Sequence, residues 1–146
     1  MAREYVEENT LQRERLRFLV ARLSDQDFAR PLYADWTIAA VLAHMAFWDY
    51  RAGLLLKRWK QSGVKPSPVD VDILNDAMRP LLQAISLRKG AELALEAANA
   101  IDREIEGLSQ DLIAQIQANP SILRLDRARH RREHMDQIES ALALEK

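Results

Sequence analysis

The sequence predicts an all-α protein, a four-helix bundle with an additional short helix or turn between helices two and three. Apolar residues make up 48% of the chain but aromatics only 6%, and four glycines and five prolines are few for a protein rich in strands and turns. Long stretches carry apolar residues at three- and four-residue steps, the period of a helix face. At 146 residues the chain is the size of one ordinary domain, able to bury a core without disulfides or a structural metal. No internal repeat or low-complexity tract divides it, so residues 1–146 are expected to form a single domain.

Helix one spans about Glu4 to Leu23, where Leu16, Leu19, Val20 and Leu23 fall on one face among charges. The stretch SDQDFARPLYAD, residues 24–35, mixes Ser, Asp and Pro and reads as a connecting loop. Thr37 can cap helix two, which runs from about Ile38 to Lys60 and ends near Ser62-Gly63. Its first half is nearly all apolar and belongs in the core.

Residues 63–70, GVKPSPVD, form a proline-bearing connection long enough to let helix three start at either end of the bundle. From Asp70 to Leu108 the helical pattern continues, broken at Pro80 and restarted at Ser86, which predicts a short helix followed by a long one. QANPSI, residues 117–122, marks another break. Asp126 can then cap a last helix reaching about Glu145.

A formal net charge of −1 supplies no global field for nucleic acid or an anionic membrane surface. The longest apolar stretch, Ile38 to Trp48, is eleven residues interrupted by His44, where a bilayer span needs about twenty. MAREYVEENT lacks the apolar segment of a signal peptide, so a cytoplasmic protein without membrane attachment is expected. Cysteine is absent, which removes disulfides, thiolate ligands and a cysteine nucleophile together.

HRREH, residues 130–134, places two histidines four apart, on one helix face and within reach of a single ion. Such pairs are common in polar helices and are a weak signal alone. The third and last histidine, His44, lies in the apolar half of helix two, with Ala40, Val41, Phe47 and Trp48 one turn away. A lone histidine there would ordinarily be a core residue bonded to a carbonyl, because unsatisfied burial costs about 1–3 kcal/mol. In helix four, however, Met135, Ile138 and Leu142 define the buried stripe and His134 flanks it, so both histidines can face His44 across the bundle. Three neutral imidazoles with positions left for water or substrate suit zinc or nickel in a catalytic setting. Asp49, Glu133 and Asp136 are candidates to orient the rings.

HRREH also fits the H-x-x-E-H order of inverted zinc proteases. Those enzymes need a further acidic ligand well downstream on another helix, whereas only residues 135–146 follow, in the same helix. Arg124, Arg127, Arg129, Arg131 and Arg132 make the start of helix four basic, but without aromatic interleaving or a recognition-helix motif nucleic acid is not the expected partner. Arg127, one turn before His130, is a candidate to bind a substrate carboxylate or phosphate.

LSDQDFARPLYADWTIAAVLAHMAFWDYRA, residues 23–52, resembles the second-helix signature of the DinB-like superfamily: a loop, Trp with Thr opening the helix, then an apolar run into His and an aromatic. HRREHMDQIE, residues 130–139, is similar to its closing H-x-x-x-H motif, often followed by Gln-Ile. DVDILN, residues 70–75, is similar to the start of the third helical region in relatives of mycothiol-dependent maleylpyruvate isomerase. The resemblance implies a four-helix bundle, commonly a homodimer, with a divalent ion, zinc or nickel, at His44, His130 and His134. Some relatives act through an external low-molecular-weight thiol such as mycothiol, bacillithiol or glutathione.

The expected function is therefore metal binding at the three histidines with activation of such a thiol or of water, in a transferase or isomerase acting on a small molecule. The alternative is a non-catalytic metal-binding or stress-associated dimeric bundle. An open coordination position beside a cavity favours the enzyme; a fourth protein ligand favours the alternative.

Overall fold

A computed structural model describes residues 3–143. Seven helices and one two-stranded hairpin follow in order: α1 (Glu4–Arg22), α2 (Asp25–Ala29), β1 (Pro31–Tyr33), β2 (Trp36–Thr37), α3 (Ile38–Ser62), α4 (Val71–Gln83), α5 (Leu87–Glu106), α6 (Gln110–Gln117) and α7 (Ala128–Ala143). The fold is all-α, and α1, α3, α5 and α7 form the bundle: α1 packs on α5 and α7, and α3 packs on the same two from the opposite corner. Among the described residues no helix is long and apolar enough to cross a membrane.

Local chemistry sets the ends of α3 as predicted. Thr37 Oγ1 accepts from Ala40 N at 3.1 Å, and Gly63 ends the helix at φ +78°, a conformation that glycine adopts without the Cβ penalty. The predicted loop over residues 24–35 is instead partly regular. Ser24 and Asp27 exchange side-chain and backbone hydrogen bonds in a capping box that starts α2, and β1 turns back onto β2 through Ala34 at φ 45°.

The break predicted at Pro80 is also displaced. α4 continues through the proline to Gln83, and the chain leaves the helix at residues 84–86. Asp76 and Pro80 are both exposed, so water can satisfy the carbonyl that loses its donor. The last helix begins two residues after Asp126, which still accepts from Arg129 N at 3.4 Å; the predicted end near Glu145 lies outside the described residues.

Side-chain pairings give the directions. Gly90 packs at Ala39 and Lys60 meets Glu104, so α3 and α5 run parallel. Asn9 meets Ala128 and Arg15 meets Asp136, so α1 and α7 run parallel to each other and opposite to α3. The long connection after α3 allows this, because α4 carries the chain back along α3 before α5 begins. α3 and α5 approach closely because their facing positions are small: Ala39, Ala43, Gly90, Ala91 and Ala94.

Two apolar clusters occupy the two ends of the bundle. One holds Leu16, Leu19, Phe28, Ile38, Leu42, Met135 and Ile138; the other holds Leu56, Trp59, Ile101, Ile105, Ile116 and Leu125. Along α1, α3 and α7 the residues between those clusters include Asn9, Asp49 and Arg131, all buried. The bundle therefore carries a polar layer across its middle.

Candidate metal centre

His44 sits on α3 at the edge of that layer, buried, with its ring 5.5 Å from Trp36 in an edge-on contact. His130 and His134 project from α7, where Ala128, Arg131, Met135 and Ile138 face the core and fix the helix rotation. The ring centroids lie 5.3 Å (His44–His130), 5.1 Å (His44–His134) and 4.7 Å (His130–His134) apart. One ligand nitrogen from each ring falls within 4.8 Å of the others, a grouping that can hold a metal ion.

The rings are neutral at physiological pH. Burial, then the neighbouring His134, pushes His44 down to about 4. Burial, then the other two histidines, Arg127 and Arg131, push His130 down to about 2. His134 is also lowered by burial, against the opposing pull of Gln137 and Glu133. Neutral imidazole is the form that binds zinc-class metals.

Two observations test whether a cation fits. His44 Nδ1 is buried with no hydrogen-bond partner among the described residues, and His130 Nε2 and His134 Nε2 face one another at 3.1 Å. Gln137 Oε1 lies 2.9 Å from His134 Nδ1. If Nδ1 carries the proton and donates to that amide oxygen, the Nε2 lone pair faces His130. The donor set suits a borderline divalent ion.

The acids named from the sequence do not orient the rings through hydrogen bonds. Asp49 instead accepts from Arg127 Nε at 3.0 Å through Oδ1 and from Arg131 Nη2 at 3.4 Å through Oδ2. Asp136 pairs with Arg15 at 2.8 Å, and Glu133 is exposed. The polar layer is built around Arg131, 1% exposed, which reaches Asp102, Asp49 and the carbonyls of Asn9 and Ala98. Arg131 lies between the two histidines in sequence and ties their helix to α1, α3 and α5.

The three rings line one pocket of about 1210 Å³ between α3, α7, the start of α4 and residues 120–124. Tyr33, Trp36 and Trp48 supply its aromatic wall, and Arg51 and Arg127 stand in it with Glu133. Trp48 Nε1 donates to Asn75 Oδ1 at 3.1 Å, which holds α4 against this wall.

Residues 10–137 match the family described as the mycothiol maleylpyruvate isomerase N-terminal domain, a DinB-like helical family. The chain belongs to this family. Neither a curated protein nor a solved structure gives a significant match.

Within this DinB-like domain the residues missed from sequence are Gln137, Arg131 and Asn9. Gln137 follows His134 by three positions, the spacing of neighbours on one helix face, but it is a neutral amide, whereas the usual orienting partner of such a ring is an acid. Arg131 falls on the same buried stripe as Ala128, Met135 and Ile138, so its position pointed inward although its charge argued for the surface. Asn9 caps α7 from across the bundle, at a sequence distance no local pattern reaches.

Proposed function

We propose that this chain binds a divalent metal ion, zinc or nickel, at His44, His130 and His134 and activates a small external thiol or water there, as a thiol-dependent transferase or isomerase. One observation carries the reading: three neutral rings converge on a pocket of about 1210 Å³ and, among the described residues, the grouping contains no fourth protein ligand. That arrangement favours the enzyme over a structural metal site.

The bound ion would supply Lewis acidity, lowering the pKa of a thiol or water and polarising an acceptor carbonyl. The protein's own groups do the rest. Gln137 Oε1, 2.9 Å from His134 Nδ1, is placed to orient that ring with Nε2 toward the ion, and Trp36 and Trp48 line the pocket with apolar rings. The cysteine-free chain has no thiol of its own, so one must arrive from solution. The family description, which names mycothiol, supports that choice, and mycothiol, bacillithiol and glutathione are the thiols to compare. We take the working form to be a homodimer, on the family resemblance, acting in the cytoplasm.

Elemental analysis of the purified, untagged protein tests the ion. Wild type is expected to carry about one divalent ion per chain, and His44→Ala and His130→Ala far less; equal metal in all three sinks the site. Adding each thiol to cobalt-substituted protein then tests the activation step, since thiolate ligation alters the cobalt spectrum. A spectrum unchanged by all three thiols argues against thiol chemistry.

A further inference from the structure

Four guanidiniums gather on and beside one flank of the pocket around two carboxylates. Arg13 and Arg131 meet Asp102, and Arg131 and Arg127 meet Asp49. Arg51, the fourth, has no carboxylate within ion-pair distance among the described residues. Its Nη2 donates to Ser67 O at 2.9 Å and to Ser67 Oγ at 3.0 Å, and its guanidinium lies 5.7 Å from the Trp48 ring centroid. Arg127 hydrogen-bonds Asp49 through Nε, and its two terminal nitrogens make no hydrogen bond to a carboxylate among the described residues. Of these four, Arg51 and Arg127 line the histidine pocket, Arg51 with its whole charge unpaired among the described residues and Arg127 with its charge shared with Asp49. Burial, then the Arg127 charge, holds the pKa of Arg51 below its ordinary value.

Their placement relative to the rings is set by the helices. His44, Trp48 and Arg51 follow one another at four- and three-residue steps along α3, so Arg51 stands about 10 Å along the axis from His44. Arg127 precedes His130 by one turn. Because α3 and α7 run in opposite directions, both arginines are displaced from the rings toward the same end.

The opposite flank is acidic: Glu133 acts on His134, and burial together with the Glu133 charge raises the pKa of Tyr33. The other acids of the pocket do not neutralise the arginines. Asp76 pairs with Arg79, Asp126 accepts from Arg129 N, and Asp72 forms no ion pair with Arg51 or Arg127.

The geometry points to Arg51 and Arg127 as a carboxylate-binding subsite at one end of the three-histidine pocket, holding the far end of a substrate whose reacting atom lies at the rings. This rests on the rings being the reaction centre, as proposed above. Ser67 and the face of Trp48 hold the Arg51 fork in place before a ligand arrives, which lowers the entropy lost on binding. Arg127 shares its charge with Asp49, so the pair suits a single negative charge, a carboxylate rather than a phosphate dianion. The separation from the rings selects a substrate with several bonds between carboxylate and reacting atom.

The test uses cobalt-loaded protein with 6-mercaptohexanoate and its uncharged amide, read from the thiolate–cobalt absorption. The acid is expected to bind at least tenfold more tightly than the amide, and Arg51→Gln and Arg127→Gln to bring the two within about threefold. Equal affinities in wild type, or a preference that survives both substitutions, overturn the subsite. Arg51→Gln breaks no ion pair, so it decides the matter if Arg127→Gln folds poorly.

If neither thiol gives the absorption, the ion-and-thiol reading fails. The subsite is then judged separately on metal-free protein by tryptophan fluorescence with hexanoate and hexanamide. A hexanoate preference lost in Arg51→Gln supports the subsite, and equal affinities overturn it. Inorganic phosphate binding more tightly than hexanoate overturns the assignment to a carboxylate.

Discussion

Arg131 of α7 grips Asp102 of α5 with both terminal nitrogens, Nη2 to Oδ1 at 2.9 Å and Nη1 to Oδ2 at 3.0 Å. Both residues are almost fully buried, at 1% and 2% exposure. Burial alone would lower the Arg131 pKa, but Asp49 and Asp102 outweigh it and raise the value, so the cation persists. Removing it leaves two carboxylates in the interior short of a partner. Arg131→Met is therefore expected to destabilise the fold by about 3–5 kcal/mol, measured by urea denaturation. A loss below about 1 kcal/mol would show that the layer does not hold α7 in place.

Asn9 joins the same layer to the start of α7. Its Oδ1 accepts from Arg127 N and Ala128 N, each at 2.8 Å, while its Nδ2 donates to Leu125 O at 2.9 Å. Those amides would otherwise be orphan donors at a helix start. Asn9→Ala should lower stability by about 2–3 kcal/mol in the same denaturation measurement, combining a lost cap with unsatisfied buried groups. An effect no larger than that of an exposed alanine substitution would contradict the cap.

Helix periodicity made α1, α3, α5 and α7 legible, and the (i, i+4) pair with His44 made the candidate site legible as residue types. The rest depended on information that one segment does not hold. Ser24 and Asp27 carry a capping-box spacing, yet a five-residue helix cannot be told from a polar loop by periodicity. Pro80 is tolerated because its face of α4 meets solvent, which sequence alone does not reveal. The direction of α5 depends on α4 doubling back along α3, a choice the 63–70 connection left open. Asn9 and Arg131 act across more than a hundred residues of chain, so only the assembled bundle shows what they hold.

The three rings give metal-free protein a defined acid sensitivity. All are held below the ordinary imidazole pKa of about 6.5, chiefly by burial. In the unfolded chain they take up protons near pH 6.5, whereas in the folded protein they resist. The unfolded state therefore binds more protons below that pH, and stability falls as pH drops from about 7, levelling for His44 near pH 4. The stability of metal-free protein in urea should decline between about pH 6.5 and pH 5, on the order of 1 kcal/mol per pH unit for each of His44 and His130, with His134 adding in the same direction. Midpoints that stay constant over that range contradict buried neutral rings.

Gly90 lies where α5 touches α3. A Cβ added there would stand 2.7 Å from Ala39 O and 3.4 Å from the Ala43 methyl, and the obstacle is helix backbone. Alanine normally favours a helix by about 1 kcal/mol over glycine. The clash reverses that sign, so Gly90→Ala should destabilise by about 1–3 kcal/mol, read as a lower melting temperature. A raised melting temperature would mean that the two helices separate freely at this point.

Gln137 gives the most direct test of how the rings are held. Its amide oxygen lies 2.9 Å from His134 Nδ1, and the residue is half-buried, so replacing it leaves the core packing largely intact. Without that acceptor His134 loses both its fixed tautomer and part of its basicity, and partners of this kind contribute about 10–100-fold to metal affinity. Gln137→Leu should weaken cobalt binding by such a factor while moving the melting temperature of metal-free protein little. Gln137→Glu restores an acceptor with added negative charge and should regain most of the affinity. The contrast between the two variants separates orientation of the ring from mere filling of space, because leucine matches the volume and only glutamate can accept the Nδ1 proton's hydrogen bond. Equal cobalt affinity in wild type and Gln137→Leu would remove Gln137 from the site and leave α7 itself as what aims the ring.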